Sequence, residues 1–433
     1  MQQRRIRHCF EVSFLIFNAC ASICSFAQDF VNYDKVYIES VKSVWLGVPT
    51  FPTAFPIVEL GQGLQLSFDE IGSEVRYLRY KIAHCDRDWE PSDLTEMEFL
   101  TGFNDEELRQ SQLSVSTRIP YVHYKLSLPN REVQWTKSGN YLLHVYDEDT
   151  ETPLLTRRFM VFEPIMDIGA ALRKPTDVGK NDSHHEIDFI AKHEEIVIKN
   201  PRVEINAVVM QNGRWDNAIR EIEPFQVLPN KLSFDYQDRI TFPAGKQFRT
   251  IDLRTFQHPT IEVNEIKEFD DAFEIVLKQD DKRTFENYDN HQDLNGQFII
   301  ESQDFNDGHV QGEYGYVMFS LKSALPLYDD HVYLMGGFTN WQIDPQFVMN
   351  YEERYGMYIG EALLKQGIYD YVYATVPKKG GPANMEILEG NWHQTENHYT
   401  ILIYYKPFGA RFDRIIGAQT VSASDLSSII RLN

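Results

Sequence analysis

The chain has 433 residues, 42% hydrophobic and 13% aromatic, with a formal net charge of −22 and four cysteines. That is enough apolar material for two to four folded domains and excludes a disordered chain. The acidity excludes a binder of nucleic acid or of an anionic membrane surface, because phosphates demand clustered cations.

The first residues read as a secretory signal peptide over 1–27. Arg4, Arg5 and Arg7 open it, Val12 to Cys24 is mostly apolar, and Ser25-Phe26-Ala27 puts small residues where a signal peptidase reads. Cleavage after Ala27 leaves Gln28 first; the rival is a lipoprotein box, Phe17-Asn18-Ala19-Cys20, with lipid on Cys20. Only Cys85 remains in the mature chain, so no intrachain disulfide can form, and it reads as a buried, inert strand thiol. No later segment offers the ~20 apolar residues that cross a bilayer as a helix. A monomer without a membrane span is expected.

From there on, short alternating runs bounded by Gly, Pro, Asn and Asp predict an all-β chain of about three immunoglobulin-like sandwiches. The expected domains are 28–164, 165–306 and 307–433. In the first, Leu78, Tyr80 and Ile82 alternate with Arg79 and Lys81, and Ser138-Gly139-Asn140 turns into the strand from Tyr141 to Tyr146. Arg157 to Phe162 reads as its closing strand, Arg173 to His185 as its exit, and Asp105 to Gln110 as a short helical turn. In the second, strands are expected at 196–198, 203–210, 273–277 and 298–300. Gln211-Asn212-Gly213 predicts a hairpin, since Asn-Gly accepts positive φ. Asp293-Leu294-Asn295-Gly296 reads as a turn; His291 occupies the first ligand position of a calcium loop, which spoils that reading.

In the third, Val332-Tyr333-Leu334 leads to Gly336-Gly337-Phe338-Thr339-Asn340-Trp341, and Gly367-Ile368-Tyr369-Asp370-Tyr371-Val372-Tyr373 follows. This strand, turn and strand resemble the early-set sandwich of glycogen-binding modules. There the turn Trp stacks on sugar and the late strand supplies a Lys. Trp341 is present here and the Lys is not, so the resemblance implies the fold rather than the sugar. A carbohydrate-binding periplasmic or surface protein is the alternative function it raises.

Catalytic chemistry finds no foothold. No nucleophile elbow, phosphate loop or metalloprotease helix occurs, and no pair of carboxylates stands out. His184, His185, Glu186, His193 and Glu194 form the densest polar cluster, yet their spacing fits no common zinc site and they fall in an expected interdomain connection. No catalytic residue, metal or cofactor is expected, and no enzyme.

What distinguishes the chain is a set of loops pairing aromatics with Arg and Asn, the composition of protein interfaces. Trp89 follows Cys85-Asp86; Arg214-Trp215-Asp216-Asn217 follows the Asn-Gly turn; Glu389-Gly390-Asn391-Trp392 precedes Thr395-Glu396-Asn397. Trp89, Trp215, Trp392, Arg214 and Trp341 are the candidate partner-binding residues. The Tyr80-to-Trp89 run, Ser138-Gly139-Asn140-Tyr141, Arg158-Phe159-Met160-Val161, the Gln211-to-Asn217 hairpin and the Thr395-Glu396-Asn397 ending resemble the type IX secretion system plug family of Bacteroidetes, in that family's order. Gly245 to Arg249 departs from it, with Lys246-Gln247 in place of Asn-Glu. The resemblance implies a non-enzymatic periplasmic protein, peripherally attached to the outer-membrane translocon barrel of that system. It would seal the pore when no cargo is passing.

Overall fold

The computed structural model describes residues 30–422 except Glu195. The signal peptide, its cleavage after Ala27 and the Cys20 alternative lie outside the described residues. The architecture is all-β.

The first sandwich packs two antiparallel layers. One holds Lys35–Val36, Pro153–Phe162, Gly139–Asp147, Leu78–Cys85 and Glu106–Glu107, with Ile57–Glu59 parallel to Pro153–Phe162; the other holds Val41–Gly47, Leu64–Ile71, Tyr121–Leu128 and Gln110–Leu113. Alternation puts Tyr80, Ile82, Leu143, Val145 and Phe159 inward against Leu66, Phe68 and Tyr124. Burying such rings contributes roughly 25 cal/mol for each Å² removed from water, which is what a sandwich without disulfides must live on.

The helical turn expected over 105–110 is absent. Glu106 and Glu107 pair with Tyr80 and Arg79 as an edge strand. The short helix lies at Glu96–Phe99 instead, where Glu98 Oε2 accepts the Thr95 backbone N–H at 2.8 Å. Thr95-x-x-Glu98 is a capping box, a helix-start signal that the 105–110 segment lacks.

The second sandwich begins at Met166–Arg173, which pairs with His184–His193. Arg173 to His185, expected as an exit, therefore spans a hairpin inside this sandwich. Its opposite layer runs Ile219–Ile222, Ile205–Gln211, His398–Tyr405, Arg414–Ser422. Ile205 faces Tyr405 and Gln211 faces Tyr399, so the end of the chain completes a sheet begun two hundred residues earlier. The third sandwich, built on nine strands from Arg249–Asp252 to Gly367–Pro377, is inserted between those halves.

The boundary expected at 306/307 is thus not followed by the sheets. Phe273–Leu277 pairs with Tyr314–Lys322 and Phe298–Ile300 with Gly367–Pro377, all in the third sandwich. Alternation marks which segments are strands; it does not say which strands meet.

The two crossings between second and third sandwiches lie side by side. Trp392 N donates to Gly245 O at 2.8 Å, and Gly245 N donates to Asn391 Oδ1 at 2.9 Å. Thr395 Oγ1 reaches Gly245 O and Asn397 Nδ2 reaches Ala244 O. The Asn-Trp and Thr-x-Asn motifs are the fasteners of this double crossing.

Candidate docking surfaces

The residues expected to meet a partner mostly meet each other. Trp89 sits at φ 69° and has no exposed surface. Trp215, half-buried, meets it edge-on with ring centroids 5.0 Å apart. Arg158, from the closing strand of the first sandwich, lays its guanidinium 4.6 Å over Trp89 and 5.5 Å over Trp215. Burial pulls that guanidinium down to about 10 despite Asp34 nearby. Cys85, Leu142 and Met160 of the first sandwich and Val208, Met210, Leu402 and Tyr404 of the second close around the rings. Tyr404 Oη donates to Asn140 Oδ1 at 2.8 Å. Burial pushes the Cys85 thiol up to about 12, so it is an inert member of this packing.

Arg214 and Trp341 form a second such pair. The guanidinium stands 4.3 Å over the indole and also pairs with Asp216. Phe248 closes on the same ring edge-to-face at 5.8 Å. Trp341 is 8% exposed. A ring covered by a cation on one face and by Phe248 at its side offers no platform for a sugar. Trp392 is half-buried beside the double crossing, with Lys246 6.0 Å from its ring. Of the five candidates, Trp89 is closed to any partner while the fold is intact.

The first and third sandwiches meet through charge. Asp69 and Lys365 side chains are 1% exposed and 2.7 Å apart. His123 Nδ1 lies 2.7 Å from the other Asp69 oxygen, and Tyr314 Oη donates to Asp69 at 2.7 Å. The Lys365 ammonium stands 3.9 Å over the Tyr121 ring. Burial alone would raise the Asp69 carboxyl, but Lys365 and His123 together hold it below its ordinary value. Nothing in this arrangement signals a reacting site. The carboxylate has its bonding capacity taken by three partners.

The histidine cluster is not in a connection but on the strand His184–His193. His185 uses both ring nitrogens, Nδ1 with Tyr399 Oη and Nε2 with His393 O, each at 2.7 Å. Burial pulls it down to about 4. Among the described residues no group of three or more His, Cys, Asp or Glu is placed to hold a metal ion. Among them, too, no helix is long and apolar enough to cross a membrane.

Surfaces free for a partner lie at loop tips outside the five candidate residues. Met97, Phe103 and Phe408 are strongly exposed. Asn104 ties the Phe103 loop to Glu96, and Arg411 ties the Phe408 loop of the second sandwich to Glu98 of the first. Leu325, Tyr328 and Tyr355 form another tip, on the third sandwich. There Ser323 N donates to Gly356 O and Lys378 to Tyr328 O. Isolated exposed apolar residues are ordinary; several gathered on one tip mark a contact surface.

Comparison with known proteins adds identity to this geometry. Residues 41–163, the first sandwich, match the model of the type 9 secretion system plug protein 1st domain. A crystal structure of a hypothetical protein from Parabacteroides merdae is similar at 33% identity, over 91% of this chain and 100% of that one, with a TM-score of 0.87. The C-terminal domain of the AgI/II polypeptide BspA from Streptococcus agalactiae, 8% identical over 88% of this chain and 98% of that one, has a TM-score of 0.16, too low to bear on the fold. No curated protein matches.

Proposed function

From the premise that this chain belongs to the type 9 secretion system plug protein family, we propose that it is a non-enzymatic periplasmic stopper. It docks on the periplasmic end of that system's outer-membrane translocon barrel and seals the pore when no cargo is passing. Family membership already carries a role in that secretion system and an association with the cell envelope.

One observation supports the stopper reading above others. The three sandwiches are joined by buried seams and a double crossing rather than by free linkers. A wide barrel leaves an aqueous channel, and closing it takes a broad body that does not flex around its own joints. A chain of loosely tethered domains would leak. Docking falls to the exposed tips, with Met97, Phe103 and Phe408 on one and Leu325, Tyr328 and Tyr355 on the other. Their polar surroundings suit a contact that must be released during transport, unlike a permanent, core-like one.

The test uses cells lacking the gene, scored for uptake of a large antibiotic normally excluded by the outer membrane, with barrel assembly checked in parallel. Leakage through an assembled barrel is expected. Wild-type permeability with the barrel assembled would remove the sealing role. Phe408→Ser and Tyr355→Ser proteins, both altered at exposed positions, then report by barrel pull-down which tip docks.

A further inference from the structure

The last strand of an open sheet leaves a row of backbone groups unpaired, and several such strands here are defended. Glu106–Glu107 presents two carboxylates, and Val263–Glu268 carries Glu265, Lys267 and Glu268. Gln226–Leu228 is three residues long and lies between Pro224 and Pro229. The strand Gln110–Leu113 has no such defence. It ends its sheet, with Tyr121–Leu128 as its one strand partner. It holds neither a charged residue nor a proline, and all four residues are exposed, Leu113 at 48%.

The register shows which of its backbone groups point outward. Ser114 N donates to Tyr121 O at 2.8 Å, so residues 110, 112 and 114 turn their backbone groups toward Tyr121–Leu128. Residues 111, 113 and 115 turn theirs the other way. Val115 N accordingly donates outward to Val310 O of the third sandwich, also at 2.8 Å. One contact along the outer edge is therefore already made. Beside it, the backbone N–H and C=O groups of Ser111 and Leu113 have no partner among the described residues.

Donors and acceptors in a row at strand spacing match another strand, and neither a sugar nor a lipid headgroup repeats them. The side chains narrow the choice. Ser111 and Leu113 stand opposite Tyr124 and Val122 of the core, whereas Gln110 and Gln112 stand opposite Lys125 and His123. A strand laid along this edge would extend an apolar face on one side and a polar face on the other. A second copy of the chain fits poorly. With residue 110 of one copy facing 113 of the other, residue 108 would fall beside Val115, where Val310 sits, and Leu108 is buried in its own sandwich. We propose that the edge Gln110–Leu113 takes an extended segment of a partner polypeptide, alternately apolar and polar, as an added strand.

The inference stands apart from the sealing role, so the full mature chain alone tests it. The probe is a fluorescein-labelled, end-blocked octapeptide of alternating threonine and valine, followed by fluorescence anisotropy. Saturable binding is expected. A strand turns only every second N–H to one edge. Of two probes N-methylated on alternate residues, one is therefore expected to lose at least tenfold in affinity and the other less than twofold. Ser111→Pro removes an outward N–H without touching the strand's own ladder, and is expected to weaken binding at least tenfold at an unchanged melting temperature. Leu113→Lys, at an exposed side chain, is the second variant should the proline disturb the fold, with the same loss expected. No saturable binding, equal binding of the two N-methylated probes, or full binding by a folded Ser111→Pro protein would overturn the proposal. A dimer of the free chain that Ser111→Pro dissolves in sedimentation would overturn it too, in favour of a second copy.

Discussion

Against the second sandwich, the first presents Trp89, Leu142 and Met160 and receives Trp215, Met210 and Leu402. Against the third it presents Asp69, His123 and Tyr121 and receives Lys365 and Tyr314. The first seam gains from burial of large rings and tolerates small shifts, because dispersion and area loss are weakly directional. The second must first offset the cost of taking two charges out of water, and does so only at one relative placement of the sheets. The aromatic seam therefore supplies cohesion. The ionic seam supplies the angle between first and third sandwiches.

The sharpest break of this contrast is Lys365→Met. It strands Asp69 without its cation and should cost about 4–5 kcal/mol in urea unfolding. Adding Asp69→Leu should recover most of that loss, because an apolar pair needs no compensation. A double variant as unstable as the single one would mean that the seam rests on packing after all.

Trp89→Ala comes next, at about 3–4 kcal/mol, with no second substitution able to restore it. Its expected signature is a lower melting temperature with the first and third sandwiches still joined, read by limited proteolysis between them.

Acid separates the seams from the sandwich interiors. Burial pulls His84, His144 and His185 down to about 4, below the ordinary value near 6.5. Their folded forms resist protons that the unfolded chain accepts, so stability is full above pH 6.5 and falls as pH drops toward 4. Asp69, held low, keeps its contribution until pH falls through the carboxylate range. Replacing His185 by Gln should remove roughly 2 kcal/mol of the loss seen between pH 7 and 5. A steeper loss in Asp69 or Lys365 variants over the same window would put the acid response in the seam.

The smallest effect is expected of Tyr404→Phe. It removes one hydrogen bond, to Asn140, from an otherwise apolar seam and should cost about 1 kcal/mol in chemical denaturation.

Strand alternation around Tyr80 and Tyr141 was legible because a half-buried strand writes its two faces into the chain. The Asn212-Gly213 turn was legible too, and both residues adopt positive φ. The partnership of Ile205–Gln211 with His398–Tyr405 was not, since nothing local distinguishes one apolar strand's neighbour from another's. That Trp89 and Trp215 meet each other was hidden for a related reason. Aromatics beside Arg and Asn do mark interfaces, and Trp89, Trp215 and Arg158 make one, but it lies within the chain. The tips at Phe408 and Tyr355 carry no motif, only exposure, which a sequence does not display.

The double crossing at Gly245 and Trp392 has a consequence for biogenesis. The third sandwich enters and leaves through one gate, as an inserted domain does. Until residues 398–405 have been delivered, the strand Ile205–Gln211 lacks its neighbour at His398–Tyr405, and that hydrogen-bonding edge stands open. The second sandwich is thus the last to close although its first strands arrive early. During that interval the half-built sheet is the part of the molecule most exposed to wrong pairing and the natural client of a holding chaperone.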